Sequence, residues 1–273
     1  MSDLGEDFGG RVRNALAATD RPVVLGDTLE VRGTVTLDVP LGPASGGTGA
    51  SSVFALVASA GVYPNPAPFT SATPFVVPTP SGFQPGDLLM AFVAGSTVTS
   101  ISFGALTGWT QILGSSAASP KDGSAIYFRV SDGSEGASAS FPFTAVGAMS
   151  GGGFMVAVRA ADLAILVDQQ SSAAEFNSSP VTILGVTTAH AGELVIQFFA
   201  QGGIVATPQW SAPAGTTLFG TDINVPPGTG YFQATCVFFT KAAAGAVPNQ
   251  VWTESTSSFF WGQLVTIAPR GAV

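Results

Sequence analysis

The chain has 273 residues and a net charge of −8, with 46% of residues hydrophobic and only 10% charged. That length fills a substantial core, and so apolar a composition excludes both a solvated disordered chain and helices laced with surface ion pairs. The few Lys and Arg are scattered and form no basic patch, which excludes nucleic acid as a partner.

Residues 1–50 differ from the rest because charge is concentrated there, with Arg11, Arg13, Arg21 and Arg32 set among Asp and Glu. They read as an attachment segment that orders on a partner, with those four arginines as its contacts. Val12 to Ala18 allows no more than a short helical turn that needs packing to persist. Gly26 to Asp38 alternates Leu29 and Val31 with Glu30 and Arg32, the pattern of a half-exposed strand pair. The first residues are acidic and hold no apolar stretch, so they are not a secretory signal, and assembly in a cytoplasm is expected. Pro40 to Ser52 is rich in Gly, Ser and Pro and reads as a flexible joint.

A strand is expected over Val53–Tyr63, followed to Pro80 by a Pro-rich passage. Proline cannot donate to a ladder, so this passage runs along a sheet edge or as an extended arm that clasps a neighbouring subunit.

From here the sequence repeats itself. Gln84-Pro-Gly-Asp-Leu-Leu-Met-Ala-Phe-Val-Ala-Gly95 returns about 106 residues later as Ala191-Gly-Glu-Leu-Val-Ile-Gln-Phe-Phe-Ala200, a domain-scale interval rather than a solenoid period. In each copy a glycine precedes one carboxylate, Asp87 or Glu193, and an apolar strand follows. Gly108-Trp-Thr-Gln-Ile-Leu-Gly114 returns as Gly215-Thr-Thr-Leu-Phe-Gly220, and Ala125 to Val130 as Cys236 to Lys241. Aromatic strands at Ser140-Phe141 and Val251-Trp252 precede two closing strands, Gly153 to Arg159 and Gly262 to Ala268. Gly151-Gly-Gly lacks the spacing of a nucleotide loop and reads as a flexible hairpin tip. Ala161 to Asp168 and the polar Gln169 to Pro180 read as a crossover between the copies.

The fold expected is therefore all-β: an antiparallel sandwich, jelly-roll-like, built from two degenerate repeats, with lobes at 51–163 and 164–273 behind the segment 1–50. Arg159 and Asp162 interrupt the longest apolar stretch, so no membrane insertion is expected. A chain this poor in charge has apolar patches to hide, and symmetric self-association does so.

Chemistry is sparse in this sequence. His190 is the single histidine and Cys236 the single cysteine. A Ser/His/Asp triad would have to use His190, which otherwise reads as a turn residue, and no nucleophile elbow is present. With no Asp-x-Asp loop and no Cys/His set, no metal or cofactor is expected. Cys236 reads as a buried thiol. Asp87 and Glu193 are the only carboxylates in equivalent places. They read as turn caps, or alternatively as a pair for glycoside cleavage. Trp109, Trp210, Tyr127 and Tyr231 stand as possible glycan contacts, since ring faces fit the apolar faces of sugars, with core packing as the competing role of the aromatics.

The strand Gly33-Thr-Val-Thr-Leu37 followed by Ser45-Gly-Gly-Thr-Gly-Ala-Ser51 resembles a joint of bacteriophage tail-fibre proteins. The succession Gln84-Pro-Gly-Asp-Leu-Leu89, Leu106-Thr-Gly-Trp-Thr-Gln111, Ile126 to Val130 and Phe154 to Ala160 is similar to domains of phage minor tail and fibre proteins. The second copy departs from it, with Thr216 in the place of Trp109 and Trp210 upstream as a substitute. The resemblance implies a virion structural protein rather than an enzyme: a fibre, spike or decoration subunit. It further implies a homotrimer docked through residues 1–50 onto capsid, tail or baseplate proteins, with a host surface glycan as a further partner. The residues leave a second reading open, a carbohydrate-binding lobe or a glycan depolymerase.

Overall fold

Leu88–Ala94 is apolar without interruption, and Leu194–Ala200 is broken only by Gln197. A strand needs such a run when both of its faces are buried, because successive side chains point to opposite sides. A computed structural model describes residues 55–62, 74–97, 100–116, 122–146, 149–176, 180–202, 210–219, 223–224, 232–254 and 259–270. These belong to one unit spanning 36–273. The helical turn and strand pair expected within 1–50, and residues 63–73 of the Pro-rich passage, lie outside the described residues, while Phe75–Pro78 of that passage is a strand paired with Ser138–Phe141.

Among the described residues every regular element is a strand. The first half supplies β1 (Ala55–Val62), β2 (Phe75–Pro78), β3 (Leu88–Thr97), β4 (Ser100–Phe103), β5 (Thr110–Ser116), β6 (Asp122–Val130), β7 (Ser138–Phe141), β8 (Phe143–Val146) and β9 (Met149–Arg159). The second supplies β10 (Gln170–Phe176), β11 (Val181–Ile183), β12 (Thr187–Thr188), β13 (Glu193–Gly202), β14 (Trp210–Ser211), β15 (Thr217–Leu218), β16 (Ile223–Asn224), β17 (Phe232–Lys241), β18 (Gly245–Ala246), β19 (Gln250–Glu254) and β20 (Phe259–Ile267).

Two antiparallel sheets carry the fold. One runs β1-β9-β3-β6-β5 and the other β10-β20-β13-β17-β15, with β16 also paired to β17. The two paths match strand for strand: β3 and β13 are central, and the closing strand of each half, β9 or β20, lies between the central strand and the first one. Smaller sheets accompany each: β2-β7 and β4-β8 in the first half, β11-β19-β14 and β12-β18 in the second. Pro142, which cannot donate to a ladder, separates β7 from β8 where the second half has the single strand β19.

The core follows the alternation of the central strands. Leu88, Met90, Phe92 and Ala94 of β3 meet Leu194, Ile196, Phe198 and Ala200 of β13 in one buried cluster that joins the two large sheets. Phe92 stacks on Phe198 at 5.4 Å and 13°. These two rings occupy the same place in their strands, so the halves meet through a self-complementary contact of the kind seen across a two-fold axis. Gln263 donates to the Ser124 hydroxyl at 2.6 Å across the same interface. The opposite faces serve the smaller sheets: Ala91 and Val93 pack with Phe75, Val77 and Phe141, while Val195 and Phe199 pack with Ile183, Trp252 and Phe260.

Two expectations from the sequence are corrected. Gly151–Gly153 is not a hairpin tip but lies inside β9, buried and paired with Val93–Gly95. Glycine is needed there because a Cβ on Gly153 would stand 2.5 Å from Cγ2 of Val77, just as one on Gly262 would stand 2.6 Å from Cδ1 of Ile183. The bare backbone lets each small sheet close onto its large one. The stretch Gln169–Pro180 is not all crossover, since Gln170–Phe176 forms β10, the edge strand paired with β20. Edge strands make little demand for apolar side chains.

Gly262→Ala is expected to lower stability by about 1–3 kcal/mol through overpacking against Ile183. In urea denaturation the midpoint should fall, and Ile183→Val in the same chain should recover part of the loss.

Candidate functional site

The two repeated carboxylates stand where a turn delivers the chain to a central strand. Gly86 and Gly192 each adopt positive φ, 89° and 79°, a conformation that disfavours side chains. Gly86 donates to the Ser131 carbonyl and Gly192 to the Lys241 carbonyl, both at 2.8 Å, which ties each turn to the neighbouring strand. Asp87 then accepts from the Gln84 backbone N–H at 2.7 Å, and Glu193 accepts from that of His190, also at 2.7 Å. Both carboxylates are therefore turn caps, and both are buried.

The halves differ in how they treat the buried charge. In the first, Arg159 at the end of β9 grips Asp87 through two parallel bonds, Nε to Oδ1 at 3.0 Å and Nη2 to Oδ2 at 2.8 Å. In the second, the residue matching Arg159 is Ala268, buried and without charge. Among the described residues no Lys or Arg forms an ion pair with Glu193. Its neighbours are Asp168, from the segment preceding β10, and His190, from the turn. One donor atom from each of the three lies within 4.8 Å of the others. Burial is the chief influence on the Glu193 carboxyl and raises its pKa above the usual carboxylate range. The Asp168 carboxylate adds to that shift, while the Thr266 hydroxyl and the His190 N–H oppose it. Asp168 accepts from the Ala189 N–H at 2.9 Å and also lines an open cleft of about 600 Å³ formed by Phe128 and residues 164–170.

The aromatic candidates separate. Tyr127 is corrected as a glycan contact: it is wholly buried, its hydroxyl donates to the Gly104 carbonyl at 2.7 Å, and burial pushes its pKa up to about 12. Trp109 is half-buried, edge-on to Phe141, with the Arg129 guanidinium 6.0 Å from its ring centre. Trp210 belongs to β14, paired with β19, whereas Trp109 precedes β5, and the Trp210 side chain lies outside the described residues. Tyr231 and the four arginines Arg11, Arg13, Arg21 and Arg32 lie outside the described residues. Trp252 and Trp261 are core, the former stacked on Phe199 at 4.4 Å, and Cys236 is buried with its thiol pKa raised by burial.

The class that fold and site define is an all-β protein of two matched sheets with one compensated and one uncompensated buried carboxylate. Comparison with protein-family models, with curated protein sequences and with solved structures finds no match.

Arg159→Leu leaves Asp87 buried without its cation and is expected to cost roughly 2 kcal/mol, less than for a fully buried pair because the Arg159 side chain is 36% exposed. Urea denaturation of the variant, and of Arg159→Leu combined with Asp87→Asn, checks this: the double variant should be the more stable of the two.

Proposed function

We propose that the chain is a structural protein of a bacteriophage particle, a fibre, spike or decoration subunit, rather than an enzyme. In this reading residues 1–50 dock onto capsid, tail or baseplate proteins. Residues 51–163 and 164–273 form two sandwich lobes, jelly-roll-like and related by duplication, displayed from the particle. The observation that carries the reading is the matched pair of five-strand paths, each with both faces of its central strand buried. Such an interior gives a rigid body suited to display. The order of motifs around Asp87, Trp109 and Arg159 supports the phage assignment by resemblance.

Self-association is part of the same proposal. Val76 of β2 and Val251 of β19 are 43% and 42% exposed, each paired across its small sheet with a hydroxyl residue, Ser140 or Thr182. Outward valines on a surface with few charges fit a sister subunit, and three copies are expected. Light scattering on the full chain at micromolar concentration should report a trimer, and immunogold labelling should decorate intact particles. A monomer overturns the assembly, and unlabelled particles overturn the location.

A second reading, a carbohydrate-binding lobe or depolymerase, is favoured by one observation, the half-exposed Trp109 ring beside Arg129. Glycan-array binding that Trp109→Ala abolishes is the expected result under that reading.

A further inference from the structure

Asp168, His190 and Glu193 form a constellation that no motif in the sequence announces. They come from three different places: the segment between the halves, the turn before β13 and the first residue of β13 itself. The backbone brings an imidazole nitrogen and two carboxylate oxygens within 4.8 Å of one another. Glu193 is 0% exposed, yet its Oε2 has no hydrogen-bond partner of acceptable geometry, although the Thr266 hydroxyl and the Asp168 carboxyl lie close enough to act on it. A buried carboxylate oxygen left in this way is costly unless something positive meets it.

The first half shows what meets it at the equivalent position, the Arg159 guanidinium on Asp87. The second half places Ala268 where that arginine stands and adds a second carboxylate and an imidazole instead. Two acids converging on one point repel each other unless a proton or a cation lies between them. A histidine in the set adds a neutral nitrogen donor, which suits a first-row transition cation better than calcium or magnesium.

We propose that Asp168, His190 and Glu193 bind a divalent transition-metal cation of the zinc class, which takes the place that Arg159 fills in the first half. Ligation at about 2.1 Å requires donor atoms about 3–4 Å apart, so the side chains draw in by about an ångström on binding. Asp168 and His190 are partly exposed and the cleft along residues 164–170 reaches Asp168, which gives the ion a route. With three protein ligands the remaining coordination falls to water, and the ion ties the segment between the halves to the turn before β13. The proposal does not depend on the particle to which the protein belongs.

The test is calorimetric titration of zinc sulfate into the full chain, freed of any affinity tag and of metal by chelation, followed by thermal melts with and without zinc. One zinc per chain with a dissociation constant below about 10 μM, and a melting temperature raised by a few degrees, are expected. His190→Ala keeps the backbone N–H that caps the turn and should melt like the parent in chelator, yet bind zinc at least tenfold more weakly. Glu193→Gln keeps an acceptor for that N–H and should weaken binding similarly. Absence of saturable zinc binding, or binding of equal strength in His190→Ala, overturns the proposal.

Discussion

The fold depends on burying both faces of two central strands. A strand with one wet face needs only alternate apolar residues, and its sheet tolerates a solvated side. β3 and β13 have no such side: one face of each meets the other, with Phe92 on Phe198, and the opposite face carries a small sheet. Every other requirement follows from this. The small sheets must approach closely, so glycines stand in β9 and β20 beneath Val77 and Ile183. The turns that lead into the central strands lie at the surface and pass into the core at their last residue, and there a buried carboxylate caps each.

That last requirement brings a charge to the edge of the core, and the halves compensate it differently. Arg159 reaches Asp87 from the neighbouring strand and spends two of its donors on the two carboxylate oxygens. Glu193 has the same backbone duty but faces Asp168 and His190. The turn geometry is the same in both halves while the compensating group is not, so the carboxylate belongs to the architecture and its neighbours give each half its own character. The strand order is the same in both halves, whereas this contact differs between them.

Much of this was legible in the residues. The glycine, the carboxylate and the apolar run of each copy are adjacent in sequence, and adjacent signals are the ones a chain displays openly: they located β3 and β13 and identified Asp87 and Glu193 as caps. Cys236 was legible as core because apolar neighbours accompany it. What failed depended on distant partners. Gly151–Gly153 looks like a turn until β2 and β3 are laid against it. Gln170–Phe176 looks like a connection because an edge strand needs few apolar side chains. Tyr127 sits in an apolar run that leaves open which way its ring points, and the Gly104 carbonyl it meets shows the inward course. The meeting of Asp168 with His190 and Glu193 has no local signature, since the backbone path between them passes through β10, β11 and β12.

The position of the closing strands has a consequence for how the protein is made. β9 is the last strand of its half, yet it lies between β1 and β3, and β20 lies likewise between β10 and β13. During synthesis the ribosome releases β1 and β3 long before the strand that separates them, so both wait with open hydrogen-bonding edges. Nascent chains in that interval are exposed to pairing with one another. Completion of Arg159 closes the first half, and only the last residues of the second close the other.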